Sequence, residues 1–438
     1  MKYFGTDGIR GKAEQFTPDF LTAIIKGLVD YAGDDIKVLI GGDTRESTEW
    51  ILADLESALE TFGIEYGNVG VLSTPAINYC FTKMGFDFAI DVTASHNPYT
   101  DNGIKIFERG FNGSQKLCDK GCEFIEKSLQ NISSYPESST TIREDLHYEA
   151  VNIYEKHLLE YVEEPNLSGL HIGIDCANGA TSISSRIIFE ELGAKVKLIN
   201  ANENYNTEIN KDCGSTHLEA IQKLVRKHHL DFGVAFDGDG DRCLLVDENG
   251  EIIDGDDIIA ILIDQLNFRS AVVTVMANQG LINWAKDNGI ALEITSVGDS
   301  NVAATMREKH IDIGGEQSGH IILPGEATGD GILTALLICK IVASSKKSLG
   351  SLAKVITKLP QIIINVPATS EQKESLKTKD EAKNLLLEYD EKMKAVAGRL
   401  LVRPSGTEDL IRITMWGNDD RQIEYLANEL KNKLEEIL

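Results

Sequence analysis

One pattern occurs three times in this chain and dictates most of what it can fold into. It is an apolar strand, a small polar turn, a helix, a glycine, a second strand, then a third strand ending in a polar, glycine-rich loop. The first copy begins at Ile36-Lys37-Val38-Leu39-Ile40 and turns at Gly41-Gly42-Asp43. Its helix places Ile51, Leu55, Leu59 and Phe62 on one face before Gly63 ends it. The second begins at Leu170-His171-Ile172-Gly173-Ile174, turns over 175–179, carries a helix up to Leu192-Gly193 and returns as a strand over 196–199. The third begins at Ala271-Val272-Val273-Thr274-Val275, turns at Asn278-Gln279-Gly280 and returns over 291–295. Strands alternating with helices make βαβ units and mixed or parallel sheets, whose ligands sit beyond the carboxyl ends of the strands. Three loops hold that position: Thr93-Ala94-Ser95-His96-Asn97-Pro98, Asp237-Gly238-Asp239-Gly240-Asp241-Arg242 and Gly315-Glu316-Gln317-Ser318-Gly319-His320.

After Pro360 the pattern changes to strand, charged helix (371–394), strand (400–402), loop, strand (410–416) and terminal helix. The expected fold is α/β, with three similar βαβ-built mixed-sheet domains and a smaller C-terminal α+β domain. The boundaries expected are 1–150, 151–252, 253–360 and 361–438. The Ser/Thr-rich stretch 133–141 and the turn 163–166 read as linker or surface loop.

Composition narrows the partners. The 438 residues include 43 Lys+Arg against 69 Asp+Glu, a formal charge of −26 with no basic run, which disfavours both nucleic acid and anionic membrane surfaces. The apolar stretch 332–343 is interrupted by Lys340 and falls short of the ~20 residues a membrane helix needs. The first eight residues lack the apolar segment of a signal peptide, so a cytoplasmic protein is expected. Seven cysteines, odd in number and mostly inside apolar runs, suit buried thiols better than disulfides.

The loops carry the chemistry. Asp237, Asp239 and Asp241 alternate with glycines, so their carboxylates can point to one side, an oxygen-only ligand set for a hard cation such as Mg²⁺. Without one, two like charges ~4 Å apart repel by ~4 kcal/mol at an effective dielectric near 20. An EF-hand is rejected, because Arg242 holds the glycine position and the flanks are strand-like. Ser95 taken alone is an ordinary turn serine, but at a strand end facing a carboxylate-held cation it is suited to carry a phosphoryl group. Arg403-Pro404-Ser405-Gly406-Thr407-Glu408 offers a guanidinium, two hydroxyls and loop N–H groups, equally a phosphate nest or a surface turn. Glu316, Ser318 and His320 suit sugar hydroxyls or simply a polar turn before the next helix. Arg10 and Lys105 are lone charges that fit either a place near Ser95 or the surface.

In order along the chain, FGTDGIRG, TASHNP, DGDGDR, GEQSGH and RPSGTE, spread over residues 4–408, resemble the α-D-phosphohexomutase superfamily. Gln317, where glucose and mannose members tend to carry methionine, makes the likeness closest to the hexosamine-phosphate branch. The resemblance implies four domains around a central cleft and an isomerase that moves a phosphoryl group between two positions of a hexosamine phosphate. It implies that Ser95 is the phosphoserine, with His96 beside it, and that Asp237, Asp239 and Asp241 hold Mg²⁺ together with the Ser95 phosphate. It further implies that Arg242, Lys105 and Arg10 supply positive charge there, with Lys105 and His320 as acid/base candidates. Glu316, Ser318 and His320 would contact the sugar, and Arg403, Ser405, Gly406 and Thr407 the phosphate that is not transferred. A homodimer and a glucosamine or glucose 1,6-bisphosphate activator are implied as well. The chain departs from the family pattern at Ser300 and Asn301, where an arginine and an aromatic residue usually follow Val297-Gly298-Asp299.

Overall fold

The computed structural model describes residues 2–5, 7–110, 113–132, 143–405 and 409–438. The chain forms two compact units, one of residues 1–274 with 295–355, the other of 275–294 with 356–438. The Ser/Thr-rich stretch 133–141 lies outside the described residues.

Three sheets build the first unit. The largest runs in the order Phe4–Gly5, Gly8–Lys12, Asp101–Gly110, Phe88–Val92, Lys37–Gly42, Glu65–Val71, Arg143–Asp145, with Gly113–Lys116 also paired to Asp101–Gly110. The three central strands are parallel, as βαβ connections require, and Asp101–Gly110 returns antiparallel beside Phe88–Val92. Alternate residues Val38, Ile40, Ile90 and Ile106 face helices Pro18–Ala32, Glu46–Thr61 and Asp119–Leu129, which supply Ile24, Leu28, Leu55, Leu59 and Ile125 to one core. Helices Thr74–Lys83 and His147–Val162 pack together on strands of the same sheet.

The second sheet is Lys195–Ile199, His171–Asp175, Phe232–Phe236, Cys243–Val246, Ile252–Ile253, parallel over the first three strands and antiparallel thereafter. Its first helical segment is shorter than the sequence pattern implies: a 3₁₀ turn at Ala180–Ser182, then a helix only from Ser185 to Glu191. Hydroxyls compete for the backbone there, since Ser185 Oγ donates to the Thr181 carbonyl at 2.5 Å. In the third sheet Ser270–Thr274 runs parallel to Gly314–Gly315, which turns back antiparallel as Ile321–Ile322. All seven cysteines are free, six of them buried.

The second unit has the antiparallel sheet Gln361–Pro367, Leu410–Trp416, Arg399–Pro404, covered by helices Asp380–Ala395 and Asp420–Ile437. The charged helix expected over 371–394 is two helices, Ser370–Thr378 and Asp380–Ala395, with Lys379 extended between them at ψ 127°. The apolar stripe explains the break. Ala382, Leu385, Tyr389 and Met393 are spaced by three or four, but Leu376 lies six before Ala382 and out of phase, so one continuous helix would expose it.

Candidate active site

Phe88–Val92 is buried along its whole length and ends in the loop that carries Ser95. Ser95 has φ 52°, the left-handed region, which costs an L residue ~1–2 kcal/mol. Its main-chain partners compensate. Its N–H donates to Thr93 Oγ1 at 2.9 Å, and its carbonyl accepts from Arg45 Nη2 at 2.7 Å and Asn210 Nδ2 at 2.8 Å. Held so, Oγ donates to Asp237 Oδ2 at 2.8 Å and lies 3.3 Å from His96 Nδ1. Ser95 is fully buried.

Asp237, Asp239 and Asp241 come from the hairpin between Phe232–Phe236 and Cys243–Val246. That hairpin is built of strands, not the helices of an EF-hand. A Cβ on Gly238 would stand 2.8 Å from both Asn210 Nδ2 and the Ser95 carbonyl, so only glycine lets the two loops meet. The three carboxylates are buried, with one oxygen from each lying within 4.8 Å of the others. Burial and the two neighbouring carboxylates push Asp237 well above the usual range. Asp241 is held well below it despite its burial, chiefly by Lys105.

The countercharges are close. Lys105 Nζ lies 2.7 Å from Asp239 Oδ2, 3.1 Å from Asp241 Oδ2 and 3.6 Å from Asp7 Oδ2. Those carboxylates outweigh burial and raise the Lys105 pKa well above its ordinary value. Arg242 Nε stands 3.9 Å from Asp237 Oδ2 and 3.7 Å from Asp241 Oδ1 with no hydrogen-bond partner. Arg10 pairs with Asp7, and Lys116 bridges Asp7 and Asp299. Burial, with Arg242 and Arg10 nearby, pushes the His96 imidazole down to about 3, leaving it neutral.

A cleft of about 580 Å³ opens onto Asp7, Lys105, Lys116, Asp299, Ser300 and His320. His320 Nε2 accepts the Gly329 N–H at 3.0 Å, so its proton sits on Nδ1, 3.6 Å from Asp241 Oδ1. A backbone bridge between Arg242 and His320 joins this turn to the carboxylate hairpin. Glu316 accepts the Gly298 N–H at 3.0 Å, and the Ser318 hydroxyl is buried without a partner.

Ser95, His96, Lys105, Arg242, the three aspartates and His320 thus form one cluster, with Arg10 tied to it through Asp7. Glu316 and Ser318 share the turn that ends in His320. Arg403 and Ser405 belong to the second unit, Arg403 within Arg399–Pro404 and Ser405 directly after it, while Gly406 and Thr407 lie outside the described residues. Sequence reasoning missed Asp7, Lys116, Asn210, Arg45 and Thr74, whose Oγ1 donates to Asp239 Oδ2 at 2.9 Å. Arg45 follows the first strand of its repeat, Lys37–Gly42, not the third strand after which the three loops lie, so position gave no signal for it.

Successive segments match the family models for phosphoglucomutase/phosphomannomutase alpha/beta/alpha domain I (residues 1–136), domain II (152–250), domain III (254–359) and C-terminal domain (363–433). The chain belongs to this family of isomerases. Among its relatives, the phosphoglucosamine mutase of Caldicellulosiruptor bescii is 40% identical over 452 residues, covering 100% of this chain and 99% of its own. That of Clostridioides difficile is 38% identical over 451 residues, covering 100% and 99%. A phosphoglucomutase/phosphomannomutase family protein from Burkholderia thailandensis has a solved structure matching with TM-score 0.78 at 20% identity, over 99% of this chain and 97% of that one. Aspergillus fumigatus N-acetylphosphoglucosamine mutase, solved in complex with GlcNAc-6P and magnesium, matches with TM-score 0.65 at 18% identity, over 98% and 95%. At those identities the two structures speak for the fold.

Proposed function

We propose that this enzyme interconverts glucosamine 6-phosphate and glucosamine 1-phosphate, on the route to UDP-N-acetylglucosamine and cell-wall precursors, with Ser95 as the phosphoryl carrier. The observation that carries the reading is the buried serine hydroxyl bonded to a carboxylate of a three-aspartate cluster, flanked by a lysine and an arginine.

Phospho-Ser95 gives its phosphoryl group to O1 of the sugar. The bond from phosphorus to Ser95 Oγ breaks as the bond to O1 forms, and the proton lost by O1 is balanced by the one gained by Ser95 Oγ. The bisphosphate then presents its other end, and Ser95 Oγ gives up that proton as it takes the 6-phosphoryl group, while O6 gains one and the 1-phosphate is left. Transfer of this kind depends on positioning and on charges placed where negative charge collects. Arg242 and Lys105 supply that charge. Ser318, with a hydroxyl no protein group claims, and Glu316 bind sugar hydroxyls, and Arg403 and Ser405, with Gly406 and Thr407, are assigned to the distal phosphate.

The aspartates fit a hard divalent cation. Oδ1 of Asp239 is buried without a hydrogen bond, and Oδ1 of Asp241 has only the longer contacts to Arg242 and His320, a costly arrangement for carboxylates that an oxygen-seeking ion relieves. Asp237, Asp239 and Asp241, with the Ser95 phosphate, would hold Mg²⁺, which supplies positive charge to the oxygens of the transferring group.

Intact-mass measurement of the purified protein, before and after hexose 6-phosphate, tests the reading. A phosphoryl group mapped to Ser95 and lost to the sugar phosphate supports it, and a Ser95 that glucosamine or glucose 1,6-bisphosphate cannot charge overturns it. Relative kcat/KM on glucosamine, glucose and mannose 6-phosphates decides the sugar, with glucosamine expected first and phosphoglucomutase or phosphomannomutase activity as the alternative. The proposal includes the four-domain division, a cytoplasmic location and a homodimer, the last read by sedimentation. Among the described residues, no helix is long and apolar enough to cross a membrane.

A further inference from the structure

Arg45 touches neither the cleft nor any of the three aspartates, yet it is one of the largest fully buried side chains in the protein. All five of its side-chain N–H groups have acceptors. Nε donates to Asp43 Oδ2 at 3.0 Å. Nη1 donates to the carbonyls of Pro98 at 2.6 Å and Asp101 at 3.1 Å, and Nη2 to those of Ser95 at 2.7 Å and Asn97 at 2.9 Å. Asp43 is itself fixed from the other side, accepting from Thr93 Oγ1 at 2.6 Å and Thr48 Oγ1 at 3.2 Å.

Stability alone does not explain such a group. A buried charge is costly, and well-packed apolar residues commonly hold a core at least as firmly. What the guanidinium does that an apolar side chain cannot is gather four main-chain carbonyls of one loop, residues 95–101, around a single rigid fork. Asn210, from the segment before the second sheet's helix Glu219–His228, donates to two of the same carbonyls, Ser95 at 2.8 Å and Asn97 at 3.2 Å. Ser95 is therefore clamped on its carbonyl side by two donors, while its Oγ faces Asp237.

We infer that Arg45 is a positioning residue for phosphoryl transfer. It holds the 95–101 loop so that Ser95 keeps its left-handed backbone and presents Oγ at one fixed point in both half-reactions. The inference rests on Ser95 being the phosphoryl carrier. A serine that must give and take the same group gains nothing from mobility, and misplacing a reacting atom by 1 Å costs ~10²-fold in rate. Lysine preserves the charge but has three donors on a point-like head, too few for four spread carbonyls and Asp43.

The test is Arg45→Lys, with Asn210→Ala as a milder second perturbation of the same carbonyls. Steady-state kinetics, thermal unfolding and amide hydrogen exchange over 95–101 are measured for both against the wild type. For Arg45→Lys, kcat falls ~10²-fold with KM within about threefold, because the cleft is untouched. Exchange speeds up in the loop while the rest of the sheet keeps its protection. Asn210→Ala shows the same signature at about a tenth of the size. Guanidinium added to Arg45→Gly restores part of kcat together with the loop's protection. Loop exchange and kcat unchanged in folded Arg45→Lys overturn the inference. If Arg45→Lys does not fold, unchanged kcat and loop exchange in Asn210→Ala overturn it. If the wild type carries no phosphoryl group on Ser95, the function reading fails, whereas the exchange data still decide whether Arg45 holds the loop.

Discussion

Replacing Lys105 by methionine removes the positive charge at the centre of the site while keeping most of the side-chain volume. At an effective dielectric near 20, the 2.7 and 3.1 Å contacts to Asp239 and Asp241 correspond to gross attractions of about 6 and 5 kcal/mol. Desolvation offsets much of this, and losing one partner of a buried ion pair costs a net ~3–5 kcal/mol. The first unit has roughly 335 residues. At ~2.1 cal/mol/K per residue, that cost lowers Tm by about 4–7 °C. The loss leaves the aspartates with excess negative charge, so the variant binds a divalent cation more tightly than the wild type. A cation at a hundred times its Kd stabilises by ~2.7 kcal/mol, and at one shared concentration the variant gains more. The assay is differential scanning calorimetry of both proteins in EDTA and across a magnesium series, at pH 8. A cation-free Tm equal to that of the wild type, or a magnesium response no larger, refutes the electrostatic account.

Three further outcomes follow from the same geometry. Asp330 accepts from the Leu333 N–H and the Tyr154 hydroxyl, and burial pushes its carboxyl up to about 7. The fold keeps that proton up to about 7 while the unfolded chain loses it near 3.8, so this group's contribution falls as pH rises from 4 to 7, by ~4 kcal/mol. Asp330→Asn should flatten the Tm-against-pH curve there, and an unchanged slope would count against the assignment. Gly238→Ala drives a methyl group into the Ser95 carbonyl and Asn210, and should cost ~1–3 kcal/mol in urea unfolding and ~10²-fold in kcat. Ser318→Ala should leave Tm unchanged, since its hydroxyl has no protein partner, yet lower kcat/KM for the sugar phosphate by ~10-fold; equal kcat/KM removes Ser318 from the sugar site.

The repeats were legible because strand and helix periodicities are local, and the three loops were legible because a strand's end is where such sheets bind ligands. Position-based reasoning therefore singled out Ser95 and the three aspartates, which the structure brings into contact, and proposed Glu316 with Ser318. It was blind to partners brought in by pairing rather than by pattern. Lys116 is an ordinary edge-strand lysine until Asp7 and Asp299 are seen beside it, 109 and 183 residues away in sequence. Arg45 carries no sequence signal of its own, because only the fold reveals the carbonyls it gathers. Lys105 and His320 were read as acid/base candidates. The carboxylates that keep Lys105 charged and the Gly329 N–H that occupies His320 Nε2 are tertiary facts.

The N-terminal hairpin, Phe4–Gly5 against Gly8–Lys12, is laid onto the sheet beside Asp101–Gly110, and the stretch over 7–10 brings Asp7 and Arg10 with it. Asp7 is thus wired to Lys116, and Lys116 to Asp299. While the protein is being synthesised, Asp7 waits for about three hundred residues to emerge before its circuit closes. Contacts so distant in sequence form late in folding, because the loop entropy is lost before they return anything. A chain made only as far as Ser95 therefore has the serine and no machine to charge it, and becomes competent to handle phosphoryl groups only once the aspartate hairpin, Asp299 and the turn ending in His320 have followed.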